Sequence, residues 1–188
     1  MNTNIKTTAR KSSLGKSREN ITEMALCGVF TALVCLLTMY VQVQIIPAKG
    51  GLVHIGNVPL FFAAAFFGKK IGALCGGLGM ALSDLLTPWA IYAPISFVVV
   101  GAMGFVFGLI VNKKPTLVRL VLATVAALAI KLAGYYIGEV ILYRSFAVPL
   151  ASIPGNTIQI VTGAIIAIPV ILVTKGAMAT FRKEDEHV

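Results

Sequence analysis

Acidic side chains are scarce: seven Asp and Glu stand against sixteen Lys and Arg, for a formal net charge of +9. None precedes Glu19, and the acids are too few and too scattered to nominate a catalytic pair. No GxxxxGK(S/T) phosphate loop is present, because Gly68-Lys-Lys lacks the upstream glycine and the Ser or Thr that would hold magnesium. The chain therefore encodes no ATPase, and any energy from ATP must come from elsewhere. Neither a GxSxG nucleophile elbow nor an HExxH zinc site occurs, so enzyme function has no support in the sequence. The three cysteines, Cys27, Cys35 and Cys75, are odd in number, sit in apolar stretches and lack metal-ligand spacing, which makes them packing residues. His54 has no second His or Cys at ligand spacing, so no metal site is expected.

What the chain has in abundance is apolar surface. Of its 188 residues 57% are hydrophobic, with a mean hydropathy of +0.89, against about 45–50% apolar residues in soluble domains. This is the composition of an integral membrane protein. Six apolar segments, 24–46, 55–68, 70–87, 91–111, 117–142 and 154–175, are separated by short polar or Pro/Gly breaks. Lipid offers backbone polar groups no partners outside helices or closed barrels, so the expected fold is an all-α bundle of six transmembrane helices. The second segment is too short to span as a straight helix. The organisation reads as a basic tail (1–23), a membrane domain (24–175) and a second tail (176–188).

Charge sets the expected orientation. With the N-terminus inside, thirteen of the sixteen basic residues fall on the cytoplasmic side, while only Lys49 and Arg144 face outward and Lys131 lies within a span. The positive-inside rule thus places both termini in the cytoplasm. Spread over four cytoplasmic edges, this charge anchors a bundle rather than binding nucleic acid. Residues 1–22 share the basic, Ser- and Thr-rich character of a transit peptide, but no short apolar region ends in a small-residue cleavage site. The first hydrophobic segment therefore reads as a retained helix.

Eighteen glycines point to close helix contacts, and small-xxx-small pairs recur at Gly28/Ala32, Gly72/Gly76, Gly104/Gly108, Gly134/Gly138 and Gly163/Ala167. Most serve internal packing. Ala25, Gly28 and Ala32 on the first helix are candidates for docking another membrane subunit.

The polar residues inside the spans gather in the outer half. Asp84 ends the third helix, Glu139 the fifth, and Asn156 and Gln159 open the sixth one turn apart, on one face. Lys131, Tyr135 and Glu139 recur at i, i+4 and i+8 and form a stripe that can face Asp84 across the bundle. Either a buried ion pair fixing helix register or direct ligand contact accounts for these charges. Trp89 and Tyr92 fit an interfacial aromatic belt or a stacking surface for a planar ligand. Asn156 after Pro-Gly fits a helix cap, and Gln159 an interhelical hydrogen bond, while together they also suit a neutral polar heterocycle. An outward-open pocket is expected rather than a continuous channel, since the inner halves are almost uninterruptedly apolar.

The ordered set His54-Ile-Gly-Asn-Val-Pro59, Gly68-Lys-Lys-Ile-Gly-Ala73, Gly76-Gly-Leu-Gly-Met-Ala-Leu-Ser-Asp84, Ala93-Pro-Ile-Ser-Phe97 and Pro154-Gly-Asn-Thr-Ile-Gln159 resembles the substrate-binding S components of energy-coupling factor (ECF) transporters over residues 24–175. The likeness points to the branch of riboflavin-type and hydroxymethylpyrimidine or pyridoxine carriers. It implies a vitamin-binding protein of the bacterial cell membrane that works with a transmembrane coupling subunit (EcfT-like) and two cytoplasmic ATPases. This chain would hold no cofactor, ATP and Mg being used by those partners. The resemblance also implies a substrate site of Asp84, Trp89, Tyr92, Lys131, Tyr135, Glu139, Asn156 and Gln159, and a gate over it with Gly50, Gly51, His54 and Asn57. The coupling subunit would dock on the first helix, where Ala25 is followed at i+4 by Val29 in place of a small residue while Gly28 and Ala32 keep the spacing. Hydroxymethylpyrimidine or pyridoxine is the expected vitamin, with riboflavin or pantothenate as alternatives. Two other readings remain: a self-contained carrier using Asp84 or Glu139 as a proton site, and an intramembrane enzyme or assembly factor that binds no vitamin.

Overall fold

The computed structural model describes the backbone of residues 2–46 and 51–185, and side chains within 20–43 and 53–180. Six α-helices and one hairpin occur in the order α1 (Asn2–Tyr40), β1 (Gln42–Ile46), β2 (Gly51–His54), α2 (Asn57–Phe67), α3 (Lys69–Leu85), α4 (Ala93–Val111), α5 (Leu117–Tyr143) and α6 (Ile153–Asp185). Short 3-10 turns at Ala90–Tyr92 and Val148–Ser152 lead into α4 and α6. Four helices among the described residues are long and apolar enough to cross a membrane. Their outward faces carry exposed Leu122 and Val125 on α5 and Ile165 and Val173 on α6, as a lipid-facing surface should.

The first predicted segment, 24–46, needs correcting. Its helix stops at Tyr40, and Gln42–Ile46 instead pairs antiparallel with Gly51–His54 in the register Gln42 to His54 and Val43 to Val53. Val41-Gln-Val-Gln-Ile45 alternates apolar β-branched residues with polar glutamines at period two, which suits a strand. At its other end α1 continues as helix back to Asn2, through the stretch assigned to a basic tail.

The short second segment is the key to the architecture. At 11 residues α2 is about 16 Å long, roughly half of a 30 Å hydrocarbon core. Leu60, Phe61 and Ala63 to Ala65 are fully buried, and Phe61 stacks on Phe107 of α4 at 4.4 Å between ring centroids. The helix plugs the centre of one half of the bundle, packed among α1, α3, α4 and α6. That half carries the basic ends of the helices, where Lys175 Nζ donates to the Pro115 carbonyl at 2.8 Å. In the other half nothing helical among the described residues fills the axis.

Gly68 alone joins α2 to α3, with φ 94° and ψ −177°, a conformation that essentially only glycine adopts. Gly68→Ala is expected to cost about 1–3 kcal/mol from backbone strain. Thermal unfolding in detergent, followed by dye labelling of the buried thiols Cys35 and Cys75, checks this. An unchanged midpoint would show that the junction relaxes freely.

Candidate functional site

Above the N-terminus of α2 lies a cavity of about 530 Å³. It exists because α2 stops halfway and the hairpin arches over the gap. The wall comes from one end of every long helix: the C-terminal ends of α1, α3 and α5, and the N-terminal ends of α4 and α6.

Beneath it lies a polar cluster that meets the cavity through Gln159. Asn57 at the start of α2 is fully buried, and its Nδ2 donates to the Gln159 main-chain carbonyl at 3.2 Å. This approach needs a glycine on the next turn of α6, since a Cβ on Gly163 would stand 2.8 Å from the Cβ of Asn57. Lys131 is 1% exposed and donates through Nζ to Gln159 Oε1 at 2.5 Å, with its ammonium 5.5 Å from the centre of the Tyr135 ring.

Helix α5 forms one wall because Lys131, Tyr135, Glu139 and Tyr143 repeat every four residues. Tyr135 shares a 2.7 Å hydrogen bond with Ser96 of α4. The Ser152 hydroxyl lies 2.7 Å from Glu139 Oε2 and 2.8 Å from the Pro149 carbonyl, and its single proton serves one of them at a time. Opposite, Asp84 near the end of α3 is 9% exposed, and its Oδ2 is buried without a hydrogen-bond partner among the described residues. A carboxylate oxygen left unpaired in an enclosed wall calls for a donor from outside the protein.

Aromatic rings edge the cavity. Trp89 and Tyr92 meet edge to face at 6.0 Å, and Tyr92 shares a 2.7 Å hydroxyl hydrogen bond with Tyr143 of α5. Under the hairpin, His54 Nδ1 accepts from the Gly56 N–H at 3.2 Å and sits 3.5 Å from Thr38 Oγ1 of α1. Burial, aided by the Lys131 charge, pushes the imidazole down to about 3, so His54 is neutral at physiological pH. The hairpin is thereby fastened to α1 by an uncharged contact.

Seven of the eight expected substrate residues line this cavity: Asp84, Trp89, Tyr92, Tyr135, Glu139, Asn156 and Gln159. Lys131 does not, because it lies one helical turn below and spends its ammonium on Gln159. Among the expected gate residues His54 lines the cavity, Gly51 begins β2, Asn57 does not line the cavity but lies beneath it against the Gln159 carbonyl, and Gly50 lies outside the described residues. Ala25, Gly28 and Ala32 share an exposed surface of α1, and a Cβ on Gly28 would meet nothing within 4 Å. Sequence reasoning missed Thr38, Ser83, Ser96, Tyr143 and Ser152 as wall residues. The four-residue repeat on α5 would have found Tyr143, whereas Ser152 sits in a turn with no periodic signal.

Comparison with known proteins agrees with this architecture. The family described as ECF-type riboflavin transporter, S component, matches residues 18–176. The thiamine precursor transporter HmpT of Lactococcus lactis subsp. cremoris (strain MG1363) is 25% identical over 167 residues, covering 88% of this chain and 96% of that protein. An uncharacterized protein of Pyrococcus woesei is 29% identical over 135 residues, covering 71% and 88% respectively. With a single family spanning the hairpin, all six helices of the bundle and the cavity between them, this chain belongs to the S components of ECF-type transporters.

Proposed function

We propose that the cavity binds a small vitamin heterocycle carrying a basic nitrogen or amino group, with hydroxymethylpyrimidine first and pyridoxine next. The observation that carries this reading is the charge of the wall. It presents two carboxylates, Asp84 and Glu139, beside the Asn156 and Gln159 amides, and the described residues lining it include no lysine or arginine. An aminopyrimidine offers donors to the acids, a ring acceptor to an amide, and a flat face to Trp89 and Tyr92. The case for a carboxylate vitamin such as pantothenate rested on Lys131, which is committed below the floor. That HmpT carries a thiamine precursor supports the same choice. Riboflavin is the second reading, favoured by the family's description and by a volume that one pyrimidine ring fills only in part.

On the positive-inside rule the cavity opens outward, both termini lie in the cytoplasm, and the protein resides in a bacterial plasma membrane. Captured vitamin would be released inward after the exposed Ala25, Gly28 and Ala32 surface of α1 docks on an EcfT-like coupling subunit. Two partner ATPases would then supply the energy with ATP and Mg, and this chain would carry no cofactor of its own. The sole tryptophan, Trp89, lies in the cavity wall and makes the test direct. Titrating detergent-purified protein without ATP, hydroxymethylpyrimidine should quench Trp89 fluorescence saturably at one site per chain, more tightly than riboflavin or pantothenate. Tighter binding of riboflavin would transfer the assignment to the second reading. Ion-driven vitamin uptake by this chain alone in proteoliposomes would replace both with a self-contained carrier.

A further inference from the structure

The hairpin brings to the cavity an imidazole whose proton is placed by the backbone beside it. In the antiparallel register His54 stands opposite Gln42, so the two side chains share one face of the hairpin, and both line the cavity. On the other face Val43 is exposed. His54 Nδ1 accepts from the Gly56 N–H, and a backbone N–H can only donate, so this nitrogen carries a lone pair. The contact is built into the chain. A Cβ on Gly56 would run into Thr38 Oγ1 and stand 3.2 Å from His54 Nδ1, so the approach needs a residue without a side chain. An imidazolium would set a second N–H against the Gly56 donor, so the ring is neutral, in keeping with its burial. A neutral imidazole holds one ring proton, and with Nδ1 taken as acceptor that proton sits on Nε2. Among the described residues the only hydrogen bonds of His54 are at Nδ1. Nε2–H can only donate, whereas the hydroxyls and amides of the wall can serve either way.

We propose that His54 touches the substrate itself, its Nε2–H donating a hydrogen bond to an acceptor that the vitamin presents toward the hairpin. A ring nitrogen, a ring carbonyl or a hydroxymethyl oxygen meets this requirement, and an aromatic amino group does not. With Asp84 and Glu139 accepting on the helices, the site then selects a ligand that shows donors to the bundle and an acceptor to the hairpin. The inference deepens the vitamin-binding reading and rests on the cavity being the substrate site, but not on which vitamin fills it.

The test joins a spectroscopic signature to an affinity measurement. His54 and His187 are the only histidines, so 15N-histidine labelling of the detergent-purified chain gives two rings, told apart by His187→Gln. Their ring-nitrogen shifts report the tautomer. In ligand-free protein His54 should carry its proton on Nε2 and leave Nδ1 bare. Saturation with whichever of hydroxymethylpyrimidine, pyridoxine or riboflavin binds should move the Nε2–H signal while Nδ1 stays unprotonated. His54→Asn keeps an acceptor for the N–H two residues on, as asparagine does in turns, but its amide is too short to reach the place of Nε2. It should weaken binding of that vitamin about 10-fold and leave the melting temperature in place. A proton on Nδ1, an Nε2 signal unmoved at saturation, or undiminished affinity in His54→Asn would overturn the proposal. If His54→Asn does not fold, the ring signals of the unaltered chain decide alone. If riboflavin is the ligand, the aminopyrimidine reading falls while the role of His54 is still decided. If none of the three binds, the vitamin reading falls and the inference falls with it.

Discussion

Asp84→Asn should weaken hydroxymethylpyrimidine binding by about 10- to 100-fold while leaving the protein folded, since hydrogen bonds to a charged group contribute about 1.5–3 kcal/mol. The substitution keeps the size of the side chain and changes only its chemistry. Asp84 Oδ2 is buried without a partner among the described residues, so the substitution removes no hydrogen bond seen at that atom. The ligand loses more. An ionised carboxylate only accepts, whereas an asparagine amide places two N–H donors where one acceptor stood, and these face the donor of an exocyclic amine. The effect should therefore depend on the ligand's chemistry: large for an aminopyrimidine, and smaller for an analogue with an oxygen in place of the amine. Isothermal titration of both ligands against both proteins reads this out. Equal losses for the two would mean that Asp84 shapes the pocket without contacting the amine. Unchanged affinity for both would remove it from the site.

Much of this arrangement is legible in the sequence because lipid is a severe filter. Asp84, Glu139, Asn156 and Gln159 stand out in apolar segments, where polar groups have few roles beyond pairing with one another or meeting a ligand. Segments 70–87, 91–111 and 117–142 lie within two residues of α3, α4 and α5 at each end, since Pro and Gly mark their limits. The end of α1 is harder to see. A window of about 20 residues averages over Val41–Ile46, and only its period-two alternation betrays the strand. Depth is harder still. Lys131 shares a face with Tyr135 and Glu139, but spacing along one helix does not say where a cavity floor lies. That level is set by another element, the 11-residue α2, whose tip meets α6 at Asn57 and Gly163. The reach of Lys131 to Gln159 follows from that tertiary fact.

The largest effect on stability is expected where α3 crosses α4. A Cβ placed on Gly104 would run into the Gly72 carbonyl and stand 2.9 Å from Leu60 Cδ1, while one on Gly72 would lie 2.8 Å from the Gly104 carbonyl. The same closeness continues at either side, with Gly108 against Lys69 Cα at 2.6 Å and Gly77 against the Phe97 carbonyl at 2.8 Å. Backbone faces backbone along this seam, so an added side chain cannot be absorbed by a rotamer change, and the helices themselves must separate. In lipid no hydrophobic drive pulls them together again, since packing itself holds the pair. Gly104→Ala should therefore lose about 1–3 kcal/mol, and Gly104→Leu more than the upper end of that range. Separation would also move Asp84 on α3 away from Ser96 on α4, so vitamin affinity should fall along with the melting temperature. Gly28→Ala is the control, since its methyl would point into open space on the surface of α1 and should leave both quantities unchanged. Thermal unfolding and vitamin titration of the three variants decide the matter. A Gly104→Leu protein that melts with the unaltered chain would show that α3 and α4 are not held by this seam.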